Sequence, residues 1–185
     1  MDIDTIRRYM AKRDSISVLE TVDVNTGVRS VLKEFDRVIE APNWTRDGRY
    51  LVYNSRGRLY TYELATGKVE PIATEFAVDC NNDHVLSPDN TQIAVSHHTH
   101  EDAKSRIYIL PLQGGRPALV TEKGPSYLHG WSPDGKRLAY CAERNEQYDM
   151  WCNPKVGQSN RMLQGIFEAA ACCARHCASN SAGVR

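Results

Sequence analysis

Three stretches of this chain share one pattern: NWTRDGRYLVY at 43–53, VLSPDNTQIAV at 85–95 and GWSPDGKRLAY at 130–140. Each joins a tight polar turn to an apolar run, and the turn aspartates Asp47, Asp89 and Asp134 lie 42 and then 45 residues apart. In the third copy Pro133 presets φ for the first central position of a type I turn. Asp134 suits the second position, and Gly135 accepts the left-handed conformation that follows. Asn90 replaces glycine in the second copy and is the next most tolerant residue there. Thr45-Arg46 replaces Ser-Pro in the first copy, which makes that turn less preorganised. Such a turn joins two antiparallel strands. The strand after it, with Leu138-Ala139-Tyr140 unbroken, has the pattern of a strand covered on both faces.

The rest of each unit repeats as well. A polar loop leads to a third strand, GRLYTYEL at 57–64, SRIYILPL at 105–112 and YDMW from 148. A turn at Thr66-Gly67 or Gly114-Gly115 follows, then a fourth strand, KVEPIAT or RPALVTE. Four strands in about 40–45 residues mark a propeller blade, which needs neighbours to bury its two faces. A half-unit, SVLETVDVNTGVRSVLKEFD at 17–36, supplies a third and a fourth strand without a first and a second. The expected fold is all-β: about three and a half four-stranded antiparallel blades, an incomplete ring, between a short N-terminal helix and a non-propeller tail. The segments are 1–16 for the helix, 17–164 for the blades and 165–185 for a helical or disordered tail.

The W-S-P-D-G-K-x-L-A-Y pattern, with its I-Y or M-W third strand and G-G turn, resembles the TolB-like β-propeller repeat, a relative of WD-type repeats, from residue 17 to about 152. The resemblance implies a ring that usually has six blades. It implies a place among periplasmic interaction proteins, the propeller domains of some peptidases and more distant polysaccharide lyases. Half a blade plus three blades cannot close such a ring, so open blade edges and self-association are expected.

Lys plus Arg and Asp plus Glu are 23 each, which gives no reason to expect a nucleic-acid partner. No apolar run approaches the roughly 18 residues of a membrane span. The opening MDIDTIRRYMAKRD lacks the apolar centre of a secretory signal and places Ile3, Ile6 and Met10 on one helical face, with Asp4 as cap. The expectation from this start is a cytoplasmic chain, or a periplasmic one if the true N-terminus is missing. Without an export signal the six cysteines are expected to be reduced. In the tail, CNPKVGQSNRML lacks the alternating pattern of a fourth strand, and FEAAACCAR has helix composition. Cys172, Cys173, His176 and Cys177 are zinc-type donors too compressed for two spaced ligand pairs. A tail unrelated to the fold, from a shifted frame or a truncated gene, is the favoured reading.

The histidines carry the functional expectation. His84 and His129 each lie five residues before a turn aspartate, in the first strand of their blades. His97 and His98 end a second strand and His100 follows in its loop, while Asp79, Asn81, Asn82 and Asp83 precede His84. The start of a first strand and the end of a second open on one propeller face. This places His84, His129, His97, His98, His100, Asn82 and Asp83 at one mouth of the channel as a binding surface. Neutral imidazoles beside a carboxylate suit a divalent metal, with His84, His129 and His97 as ligands. Trp44 and Trp131 read as blade packing. No Ser-His-Asp set, nucleophile elbow or carboxylate pair can be assembled from the sequence. The leading expectation is therefore a non-catalytic interaction module for a protein, peptide or oligosaccharide. The alternatives are a metal-dependent, lyase-like propeller enzyme on polysaccharide, or an inactive fragment of a longer propeller protein.

Overall fold

A computed structural model of the chain describes residues 15–154 and 161–162. The expected N-terminal helix lies outside the described residues apart from its last two positions. The whole expected tail, with Cys172, Cys173, His176 and Cys177, lies outside them too. The chain divides into two compact units, one ending at Ile39 and one beginning at Glu40. No helix among the described residues is long and apolar enough to cross a membrane.

The first unit holds one antiparallel hairpin, β1 (Ser17–Val22) with β2 (Arg29–Phe35). Its turn is fixed by Asp23, whose Oδ1 accepts the Asn25 and Thr26 N–H groups at 2.9 and 2.8 Å. Leu19 and Phe35 are buried, whereas Val18, Val22, Val24, Val28 and Val31 are exposed.

The second unit is three four-stranded antiparallel sheets, each following chain order from its first strand to its fourth. Blade 1 contains β3 (Glu40–Trp44), β4 (Tyr50–Ser55), β5 (Arg58–Glu63) and β6 (Val69–Pro71). Blade 2 contains β7 (Cys80–Leu86), β8 (Gln92–His98), β9 (Ser105–Pro111) and β10 (Ala118–Leu119). Blade 3 contains β11 (Ser126–Trp131), β12 (Arg137–Arg144), β13 (Gln147–Pro154) and β14 (Arg161–Met162). The last strand corrects the sequence reading, which found none there. β14 pairs with β13 through Trp151↔Met162 and Cys152↔Arg161. Two ladder pairs need only backbone groups, so no alternating side-chain pattern announces them, and β10 is equally short.

The three repeated turns form one hydrogen-bonded device. The hydroxyls of Thr45, Ser87 and Ser132 donate to Asp47, Asp89 and Asp134 at 2.6, 2.6 and 2.5 Å. The same hydroxyls accept the N–H groups of Tyr50, Gln92 and Arg137 at 3.0, 3.0 and 2.9 Å. Gly48, Asn90 and Gly135 take the left-handed conformation, with φ of 70°, 56° and 67°. The threonine hydroxyl of the first copy makes the same pair of bonds as the two serines. The Ser87 hydroxyl, with the Thr91 N–H, holds the Asp89 carboxyl down to about 2.

Blade packing explains the unbroken apolar runs. Ile93 and Val95 of β8, with Tyr108 and Leu110 of β9, pack with Val52 and Leu59 of blade 1. Their alternates Ala94, Ile107 and Ile109 pack with Leu128, Trp131, Leu138 and Tyr140 of blade 3. Blade 2 is therefore apolar on both sides because it has a neighbour on both sides. The first strands meet one another, with β7 in contact with β3 on one side and β11 on the other. Trp131 crosses the second seam, its indole N–H donating to the Val85 carbonyl at 3.0 Å. Trp44, expected to pack likewise, is 52% exposed. Trp131 packs backward onto the preceding blade, and within its unit blade 1 has none before it.

Candidate functional site

Each first strand carries a bulge, and these bulges decide where the candidate site residues go. In blade 3 the pairs Trp131↔Leu138 and Gly130↔Ala139 are followed by Leu128↔Tyr140, so His129 has no partner in the ladder. In blade 2 the corresponding pairs Leu86↔Ile93 and Val85↔Ala94 are followed by His84↔Val95. His84 and His129 hold one sequence register, but they do not hold one seat. Leu128 takes in blade 3 the buried place that His84 takes in blade 2, and His129 is turned out to solvent.

His84 is buried against blade 1, with Nε2 3.5 Å from the Val52 carbonyl oxygen. Burial lowers its pKa to about 4, so the ring is neutral in ordinary conditions. His97 is buried as well, and its Nδ1 accepts the Asp79 N–H at 3.2 Å. Its ring lies edge-on to Phe76, Tyr108 and His100, at centroid distances of 6.0, 5.7 and 6.3 Å. Burial, first of all, lowers the His97 pKa. His100 is exposed in the loop after β8. That loop is tied by Arg106, whose Nη1 and Nη2 bond the two Asp102 carboxylate oxygens at 2.8 Å each.

The bulge of β7 lies between Cys80↔His97 and His84↔Val95, so Asn81, Asn82 and Asp83 stand opposite the single residue Ser96. Asn81 holds Asp83 from two sides. Its Nδ2 donates to Asp83 Oδ2 at 3.0 Å, and its Oδ1 accepts the Asp83 N–H at 2.9 Å. Asn82, between them, is exposed. Across the seam, Ser96 Oγ accepts the N–H of Leu128 at 2.9 Å. Tyr127 and His129 flank Leu128 on β11, within electrostatic reach of Asp83. His98 is two residues beyond Ser96 and therefore on the same face of β8.

Asp83 is half-buried, and burial raises its carboxyl pKa, opposed by the Asn81 hydrogen bond and by the charges of His129 and His98. Tyr127 is raised by burial and then by the Asp83 charge. The structure thus gathers Asp83, His98 and His129 at the loop end of the seam between blades 2 and 3. It does not bring His84 or His97 to that surface. Among the described residues no group of three or more His, Cys, Asp or Glu side chains is arranged to hold a metal ion. Cys80 and Cys141 are free thiols, and burial pushes Cys80 up to about 12.

The Cys80 N–H, at the start of β7, donates to the Gly57 carbonyl in the β4–β5 turn at 3.0 Å. A Cβ on Gly57 would stand 2.4 Å from the Val78 carbonyl oxygen, so glycine alone fits this approach.

Comparison with known proteins places these blades. No family model matches the chain. An uncharacterized protein of Agrobacterium fabrum is 45% identical over 136 residues, which are 73% of this chain and 46% of that protein. The Tol-Pal system protein TolB of Francisella tularensis is 31% identical over 146 residues, 75% of this chain and 33% of its own length. The structure of an Agrobacterium tumefaciens protein provisionally named TolB superposes with a TM-score of 0.75 at 41% identity, covering 81% of this chain and 54% of that one. These are TolB-like propeller blades. The chain spans between a third and about half the length of the curated relatives it matches. An oligogalacturonate lyase in complex with manganese shares the fold at 12% identity, with a TM-score of 0.59 over 81% of this chain and 44% of that one. Such a distance shows the fold alone. In the TolB-like blades, Tyr127 and Ser96 are the site residues that sequence reasoning passed over. Tyr127 could have been found by its place two residues before His129 on a first strand. Nothing in the sequence marks Ser96.

Proposed function

We propose that the chain is the propeller portion of a non-catalytic binding protein, and that its loop-end surface around Asp83, Asn82, His98 and His129 holds a protein partner. One observation carries the reading. The seam between blades 2 and 3 is packed with a buried apolar cluster, yet at the loop end stands a half-buried carboxylate with charged groups of two blades near it. Such an end is rigid because the seam behind it is packed, and it is polar where a partner would meet it. His84 and His97 support this surface from within. The Tol-Pal assignment of the Francisella relatives favours a protein of that system as partner, and with it the periplasmic alternative over a cytoplasmic place.

The test is binding of each purified Tol-Pal system protein from the source organism to the immobilised chain. One of them is expected to bind, and the paired substitution Asn82→Ala/His129→Ala should weaken that binding by about tenfold, the scale of one lost interfacial hot spot. Trp44→Ala should leave it unchanged. Absence of binding by all of them, or indifference to the paired substitution, would overturn the reading.

A further inference from the structure

We propose that Asp83 is the seat of a cationic side chain of the ligand, a lysine ammonium or an arginine guanidinium, received at the loop end of the seam between blades 2 and 3. The inference rests on the binding surface proposed above and names the chemistry it selects.

Four features of the bulge point there. Asn81 fixes the Asp83 carboxylate through Oδ2 and through the residue's own N–H, so the group is oriented before any ligand arrives. The carboxylate is half-buried and therefore partly stripped of water, and a charged donor restores what hydration it has lost. The Ser96–Leu128 hydrogen bond ties β11 to β8, and Tyr127 and His129 of β11 and His98 of β8 lie within electrostatic reach of the carboxylate. These rings offer flat faces on which the stem or plane of a long cationic side chain can lie. A divalent ion suits the site less well, because the described residues supply no three-donor arrangement around Asp83. One fixed carboxylate between rings suits an organic cation.

Imidazole proton resonances of the full chain report the seat directly. Nα-acetyl-lysinamide and Nα-acetyl-argininamide are titrated against the neutral Nα-acetyl-glutaminamide, with the two cationic probes deciding between ammonium and guanidinium. The expected result is movement of the His98 and His129 signals by at least one cationic probe, with affinity about tenfold above the neutral one. Asp83→Asn should abolish that preference, and Asp83→Glu, which keeps the charge, should retain much of it. Circular dichroism confirms that each variant keeps its sheet. Equal response to all three probes, no response to any, or a preference that survives Asp83→Asn would overturn the proposal. Protein-partner binding measured on the same variants separates the two readings. A chain that binds its partner without any cationic preference refutes the seat and leaves the surface. A chain with the preference but no partner supports the seat and refutes the surface reading.

Discussion

His84 shows how much one residue of bulge can change. By register it matches His129, and a reading by register alone gives the two the same surface. The ladder places the bulge of blade 3 at His129 itself and that of blade 2 just before His84, so one imidazole faces water and the other faces Val52. Bulge position depends on local backbone strain and packing, which turn residues and apolar periodicity do not encode. The site was therefore legible as a neighbourhood, Asp83 with nearby histidines, and illegible as a set of side-chain directions. The buried place of His84 makes a prediction. Its folded pKa is about 4, below the ordinary 6.5, so the unfolded chain binds the proton more readily. The stability that goes with a neutral His84 is fully present above about pH 6.5 and is lost as pH falls through that window toward 4. The loss should reach roughly 3 kcal/mol. His84→Leu, which installs the residue blade 3 uses in this seat, should remain folded and flatten that part of the profile. Urea unfolding between pH 4 and 7 checks both, and a slope unchanged by the substitution would refute the assignment to His84.

At the scale of elements, the turns and blade spacing were the readable part. Turn chemistry is local, so Asp47, Asp89 and Asp134 could be matched without knowing what the strands pack on. Seams are not local, and Trp44 and Trp131 show the difference. They share a register position, but Trp131 is fully buried and bonded to the preceding blade whereas Trp44 is half-exposed. Trp131→Ala should cost about 3–5 kcal/mol, as large-to-small changes in a packed core do. Trp44→Ala should stay within about 1 kcal/mol, the range of ordinary surface changes. Paired chemical-denaturation curves compare them, and equal losses would mean that Trp44 packs in solution as Trp131 does. The outermost strands mark the other limit of legibility. β10 and β14 make two ladder pairs each, too few residues for an alternating pattern to show.

For the molecule as a whole, stability should follow the number of covered faces. In a repeat array each unit is held by its neighbours, and opening free energies vary along the chain accordingly. Blade 2 has Ile93 and Val95 against blade 1 and Ala94, Ile107 and Ile109 against blade 3, all essentially without solvent exposure. The other two blades each share one seam with it. The β1–β2 hairpin is a two-stranded sheet with five exposed valines, and hairpins of that size are marginal in water on their own. Amide exchange should therefore be slowest in β8 and β9, faster in the central strands of blades 1 and 3, and fastest in the hairpin. The same gradient would place the Asp83 surface on the most protected part of the array, since its bulge is bracketed by the Cys80↔His97 and His84↔Val95 pairs. The proposed surface, anchored there, can hold its geometry while the flanking blades breathe. Hydrogen-exchange mass spectrometry on the full chain, with peptides covering 92–111, 50–63 and 17–35, measures the order. Uniform exchange across the three would mean that the array opens as one cooperative block, and the protection of the site would then owe nothing to its place between two neighbours.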